Sequence, residues 1–151
     1  MKQKLNCVLL IDDDEPTNFL NNMFIEEANC SEHIKVACGG HAALTYLNSA
    51  DPTANSGNEP FPDLIFLDIN MPAMDGWEFL DKYKEIKTRT KPIIVMLTTS
   101  INPDDVLKAY TVPEVSGFEN KPLTIEKVNS IVKKYFYSSH AENNKILENF
   151  S

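Results

Sequence analysis

The sequence predicts an α/β fold, a doubly wound five-stranded parallel sheet with five helices on its two faces, and three observations support this. Short apolar runs alternate with longer segments of helical period along most of the chain, the pattern of successive βα units. The apolar runs are nearly continuous rather than interleaved with polar residues, which implies strands buried on both faces. The chain has 151 residues, 42% of them hydrophobic, enough for one well-buried core and short of two.

The first strand is read at 6–11, NCVLLI. Four acids follow, and Pro16 then opens a helix over 16–28, where a missing N–H is tolerated in the first turn. Phe19, Leu20, Met23 and Phe24 share one side of that helix and are the apolar face expected to pack inward. HIKVA at 33–37 reads as the second strand and 41–48 as the second helix. DLIFL at 63–67 is followed by a helix over 75–86, and IIVML at 93–97 by a helix over 103–110. VSGF at 115–118 and a helix over 123–136 complete the fifth unit. Strand–helix alternation in so short a chain requires right-handed crossovers between parallel strands.

Two segments stand outside this alternation. SADPTANSGNEPFP, at 49–62, is rich in Pro, Gly, Ser and Asn and is expected to form a long exposed loop. The tail SSHAENNKILENFS at 138–151 is polar apart from Ile146, Leu147 and Phe150 and reads as a frayed helical extension or a free end. The expected organisation is one domain over 1–138 and a tail over 139–151, with no effector domain.

Charge and cysteine usage narrow the function classes. The formal charge of −8, from 22 acidic against 14 basic residues, repels phosphate backbones and disfavours a nucleic-acid partner. Cys7, Cys30 and Cys38 form no CxxC pair and suit a reducing compartment better than a disulfide framework. The apolar run from Cys7 to Ile11 is too short for a signal-peptide core or a membrane span. We therefore expect a cytoplasmic protein with no membrane association.

In a parallel sheet every strand ends at one edge, so residues just past the strands gather in one crevice. Here they are Asp12, Asp13, Asp14 and Glu15 after the first strand, Asp68 after the third, Thr98, Thr99 and Ser100 after the fourth, and Lys121 after the fifth. Crowded carboxylates repel one another until one takes up a proton or a cation settles among them. A hard divalent ion such as Mg²⁺, with Mn²⁺ as a substitute, suits two such acids together with phosphate oxygens. Lys121 then offers a compact positive charge, Thr98 a hydroxyl donor, and Asp68 a carboxylate able to accept a phosphoryl group covalently. Phosphoryl transfer asks mainly for such positioning and charge neutralisation.

These residues resemble the receiver domains of two-component response regulators. The likeness rests on the acidic pair after VLLI, on GGHAAL, on DLIFLDINMPAMDGWEFL, on IIVMLTTS and on GFENKPL, in that order along the chain. It implies a flavodoxin-like strand order 2-1-3-4-5. It also implies that Asp68 is the phosphoacceptor, that Asp13 binds Mg²⁺ directly, that Asp12 acts mainly through metal-bound water, and that Asn70 offers its backbone carbonyl to the metal. Thr98 and Lys121 would hold the phosphoryl oxygens, and the Lys121–Pro122 peptide would be cis. On phosphorylation Thr98 is drawn inward and Phe118 turns into the vacated space, so that the face of the fourth helix, fifth strand and fifth helix changes its partner preference. Phe118 stands where tyrosine is commoner, and Thr99 where a smaller residue often sits.

The implied partners are a sensor histidine kinase or phosphotransfer protein upstream and a protein target downstream. The molecule would be a monomer or a phosphorylation-dependent dimer. It would not be an enzyme beyond Mg²⁺-dependent self-phosphorylation from a phosphodonor and autodephosphorylation. A relay intermediate that passes its phosphoryl group on is the alternative. An aspartyl-nucleophile phosphatase is a weaker rival, since its nucleophile normally follows the first strand with a second acid two residues on, and Asn70 occupies that place after Asp68. A flavin module on the same scaffold would need a phosphate-cradling loop after the first strand, where four acids stand instead.

Simpler roles suffice elsewhere. Asp14 and Glu15 suit the positive N-terminus of the first helix, and Asp75 suits a cap of the third. Met71, Met74, Trp77 and Phe79 read as packing residues, and His33, His41 and His140 lack ligand spacing.

Overall fold

A computed structural model describes residues 4–50, 59–86, 91–99 and 102–137. Its elements run β1 (Leu5–Ile11), α1 (Glu15–Ala28), β2 (Ser31–Ala37), α2 (Gly40–Ser49), β3 (Leu64–Asp68), α3 (Gly76–Tyr83), β4 (Ile93–Thr98), α4 (Pro103–Thr111), β5 (Gly117–Asn120) and α5 (Ile125–Val132), with a π-helical turn at Lys133–Tyr137. All strand pairs are parallel and the order is β2-β1-β3-β4-β5, the doubly wound arrangement read from the sequence.

The continuous apolar runs are buried because each strand serves two cores. Leu9, Ile11, Ile65, Leu67, Ile94 and Met96 point to one face, where they meet Ala43 and Leu47 of α2 and Trp77, Phe79 and Leu80 of α3. Val8, Leu10, Leu64, Phe66, Val95 and Leu97 point to the other, against Ile25 of α1 and Val128, Ile131 and Val132 of α5. Successive residues of a strand alternate faces, so an unbroken apolar run fills both layers. Fully burying one such side chain contributes roughly 1.5–3 kcal/mol.

Helix starts follow local chemistry. The Asp14 side chain accepts from Thr17 N, Asp75 and Glu78 form a reciprocal capping box, Asn102 accepts from Asp104 N, and Thr124 accepts from Lys127 N. Three expected boundaries shift, one of them set by such a cap. The fifth helix begins at Ile125 rather than 123 because Thr124 is its cap, and its last residues form the π-helical turn. The third ends at Tyr83 rather than 86, where turn bonds from Glu85 N to Lys82 O and Ile86 N to Tyr83 O take over. The fifth strand begins at Gly117 rather than 115, since Val115 N closes a turn on Val112 O before Ser116 N reaches Ile94 O of β4.

Two larger expectations fail. Phe19, Leu20 and Met23 are exposed, at 66%, 50% and 46%, and α1 turns Asn18, Asn21 and Ile25 inward instead. The helix carries two competing faces, and the one chosen lets the Asn18 amide donate to the Asp12 carbonyl at 2.9 Å. The expected exposed loop over 49–62 is not exposed at its end: Pro60, Phe61 and Pro62 are buried, Phe61 joins the core, and Tyr46 donates to the Pro60 carbonyl. Ser49 belongs to α2. The middle of that segment, 51–58, and the tail 138–151 lie outside the described residues.

Candidate functional site

The strand register decides what meets at the sheet edge. Ile11 lies beside Leu67, Asp68 beside Leu97, and Thr98 beside Asn120. Asp12, Asp68, Thr98 and Lys121 therefore sit at or one step past the ends of β1, β3, β4 and β5. Asp12, Asp68 and Thr98 are buried, while Asp13 is exposed. Carboxylate oxygens of Asp12, Asp13 and Asp68 all lie within 4.8 Å of one another.

Lys121 spans this cluster. Its Nζ is 2.8 Å from Asp12 Oδ2 and 3.1 Å from Asp68 Oδ1. Its backbone N–H donates to the Thr98 carbonyl at 2.7 Å, which ties the turn after β5 to the end of β4, and the Lys121–Pro122 peptide is cis. Burial pushes the Asp68 carboxyl up to about 6, and the Asp12 charge adds to this while Lys121 opposes it. Burial alone would lower the Lys121 ammonium, but its hydrogen bond to Asp12 and the charges of Asp12 and Asp68 outweigh burial and raise it. Among the described residues the site is thus short of positive charge: Lys121 pairs with Asp12 and Asp68 but not with Asp13.

The surrounding loops hold this geometry from the backbone. Asn18, an amide on the buried face of α1, anchors the Asp12 carbonyl. Asp12 Oδ1 in turn accepts from Asp14 N at 3.0 Å, and Asp68 Oδ1 from Asn70 N at 3.3 Å. Gly76 donates to the Ile69 carbonyl at 2.8 Å, and a Cβ there would stand 2.8 Å from the Asp68 carbonyl oxygen. Sequence reasoning passed over Asn18 and Gly76; a polar residue aligned with Ile25 on one helix face was the available signal. Of the other site candidates, Asn70 and Thr99 are exposed, and Phe118 is half-buried beside Met96 of β4.

The profile of the response regulator receiver domain matches residues 8–133. The chain belongs to that family. The response regulator Rcp1 of Synechocystis is 32% identical over 103 residues, covering 68% of each chain. The probable methanogenesis regulatory protein FilR2 of Methanothrix harundinacea is 29% identical, covering 84% of this chain and 79% of that protein. Among solved structures, a two-component response regulator from Cytophaga hutchinsonii superposes with a TM-score of 0.76 at 36% identity, covering 87% of this chain and 97% of that one. Receiver domains take phosphoryl groups from histidine kinases and signal by phosphorylation, and they typically bind Mg²⁺ at an acidic pocket. This receiver domain has a donor set that fits such an ion, three hard oxygen ligands at one edge with a single ammonium to balance them. None of the helices among its described residues is long and apolar enough to cross a membrane.

Proposed function

We propose that this receiver domain accepts a phosphoryl group on Asp68 and reads it out on the face of α4, β5 and α5. The observation that supports this most directly is the Asp68 carboxylate, buried at the strand edge and held 3.1 Å from Lys121. An Asp68 oxygen forms the new P–O bond while the P–N bond of a donor phosphohistidine breaks, and the electron pair leaves with the imidazole nitrogen. Lys121 neutralises charge on a phosphoryl oxygen, and Thr98, at the end of the neighbouring strand, offers its hydroxyl to another. Asp12, Asp13, Asp68 and the Asn70 carbonyl would hold Mg²⁺, which when bound supplies further neutralisation of the phosphoryl charge. The donor is a sensor histidine kinase or a phosphotransfer protein.

The readout face supports the switch half of the proposal. Val106, Ala109 and Tyr110 of α4, Phe118 of β5 and Ile131 of α5 line an open groove of about 580 Å³, with Glu119, Glu126, Lys127 and Lys134 also along it. Phe118 lies two residues ahead of Asn120, the strand partner of Thr98, so a movement of Thr98 toward the phosphoryl group reaches that groove through adjacent strands. A protein target binding there would distinguish the two states.

The test is incubation with Mg²⁺ and a small phosphodonor followed by intact-mass measurement. We expect an adduct of about 80 daltons, one phosphoryl group, that is absent in Asp68→Asn. Phosphodonor turnover without a detectable adduct would replace this reading with that of a phosphatase.

A further inference from the structure

Helix α4 forms one wall of the readout groove, yet it contributes no buried residue. Its Leu107 and Tyr110 are exposed at 65% and 85%. Ala109 packs partly buried against the core, and two directional contacts of the helix converge on one side chain. Trp77 Nε1 donates to Asp105 Oδ1 at 3.2 Å, and Lys108 Nζ stands 4.8 Å from the Trp77 ring centroid. Asp105 and Lys108 are three residues apart and share one face of α4. The hydrogen bond fixes direction and the cation over the ring fixes the facing plane, so together they define both the position and the rotation of the helix.

The other side of Trp77 leads to Asp68. Trp77 is buried in the core as the second residue of α3. The residue before it, Gly76, donates to the Ile69 carbonyl at 2.8 Å and admits no Cβ against the Asp68 carbonyl. The start of α3 is therefore in backbone contact with the phosphoacceptor's own peptide. We propose that Trp77 is a positioning residue that ties α4 to the phosphoacceptor loop, so that a change at Asp68 is delivered to the readout groove through the indole. This rests on the phosphoacceptor reading above and adds a second route to the one through Thr98 and Phe118. A helix that is only partly buried and is held in part by polar contacts is one that a small displacement can re-seat.

The test follows hydrogen exchange of the α4 amides, 103–111, in the full chain with and without Mg²⁺ and beryllofluoride, while fluorine NMR reads loading at Asp68 separately. In the wild type, loading is expected to change α4 exchange by about threefold or more. Trp77→Phe keeps a buried ring and removes the donor; Asp105→Ala with Lys108→Met removes both α4 contacts from the surface, the acceptor and the cation, and guards against misfolding of the core variant. Both are expected to load within about twofold of wild type and to lose most of the α4 response. A full α4 response in the loaded surface double variant overturns the proposal. Failure of the wild type to load overturns the phosphoacceptor reading instead, and is recognised by a missing fluorine signal before any variant is compared.

Discussion

Lys121 approaches Asp12 more closely than Asp68, 2.8 Å against 3.1 Å. The ammonium is thus committed to Asp12 as much as to Asp68, the proposed phosphoacceptor, and it balances two buried carboxylates at once.

Removing it exposes that dependence. Lys121→Met leaves Asp12 and Asp68 without a cation, and breaking a buried pair in this way costs on the order of 3 kcal/mol. Urea denaturation in chelator should show this loss, and millimolar Mg²⁺ should recover more stability in the variant than in the wild type. Equal stability of the two proteins in chelator would contradict it.

The raised Asp68 carboxyl gives a pH dependence whose sign is definite. The folded state holds this proton up to about pH 6 and the unfolded chain only to the ordinary 3.8. The proton-linked stabilisation is complete below 3.8 and lost as pH rises through 6. At pH 7 in chelator the ionised, buried carboxylate opposes folding. Asp68→Asn should then be the more stable protein by roughly 1–3 kcal/mol, a tenfold difference in proton affinity being ~1.4 kcal/mol. Denaturation curves at pH 7 and pH 4 check it, the advantage shrinking at the lower pH.

Phe118→Ala should separate site from surface. Phe118 lines the groove and is half-buried, whereas the phosphoryl contacts assigned to Lys121 and Thr98 do not include it. Phosphoryl-analogue affinity at Asp68 is expected to stay largely intact while binding of a phosphorylation-dependent partner weakens. Equal loss of both by calorimetry would argue against the switch role.

Helix α1 offers a packing test of its chosen face. Ile25→Ala should cost about 2–5 kcal/mol, the range for a large-to-small core change. Leu20→Gln, on the exposed side, should fall within about 0.5 kcal/mol of wild type. Thermal melts that ranked the two the other way round would show that the helix is rotated.

Gly76→Ala is expected to destabilise by more than the usual helix preference for alanine can offset. Its Cβ would press on the Asp68 carbonyl oxygen and Ile69 Cα at 2.8 and 3.0 Å, so the start of α3 must shift. A melting temperature equal to wild type would mean the β3–α3 loop is looser than this contact implies.

Much of the architecture was legible from local pattern. Unbroken runs such as DLIFL announced strands buried on both faces, and Asp14 and Asp75 marked helix starts where the caps stand. These features depend on neighbours within about one helical turn, and pattern reading sees that range well. The face of α1 was misread because hydrophobicity alone ranks Phe19, Leu20 and Met23 above Asn18 and Asn21. The inward choice is decided by contacts to the sheet and to Asp12, which periodicity does not contain. Pro60 and Phe61 were misread for a similar reason, since a turn-rich composition does not reveal a tyrosine waiting on α2.

By itself the sequence determined the alternation of strand and helix, the apolar double-sided sheet, and the residue types at each strand end. Only the tertiary structure decided that Lys121 divides itself between Asp12 and Asp68, that Asp68 holds its proton toward neutral pH, and that Trp77 grips α4 through Asp105 and Lys108. The reason is distance along the chain: Lys121 and Asp12 are 109 residues apart and Trp77 and Asp105 are 28 apart. Charge sharing and desolvation arise only when folding brings such groups within a few ångströms and removes the water between them.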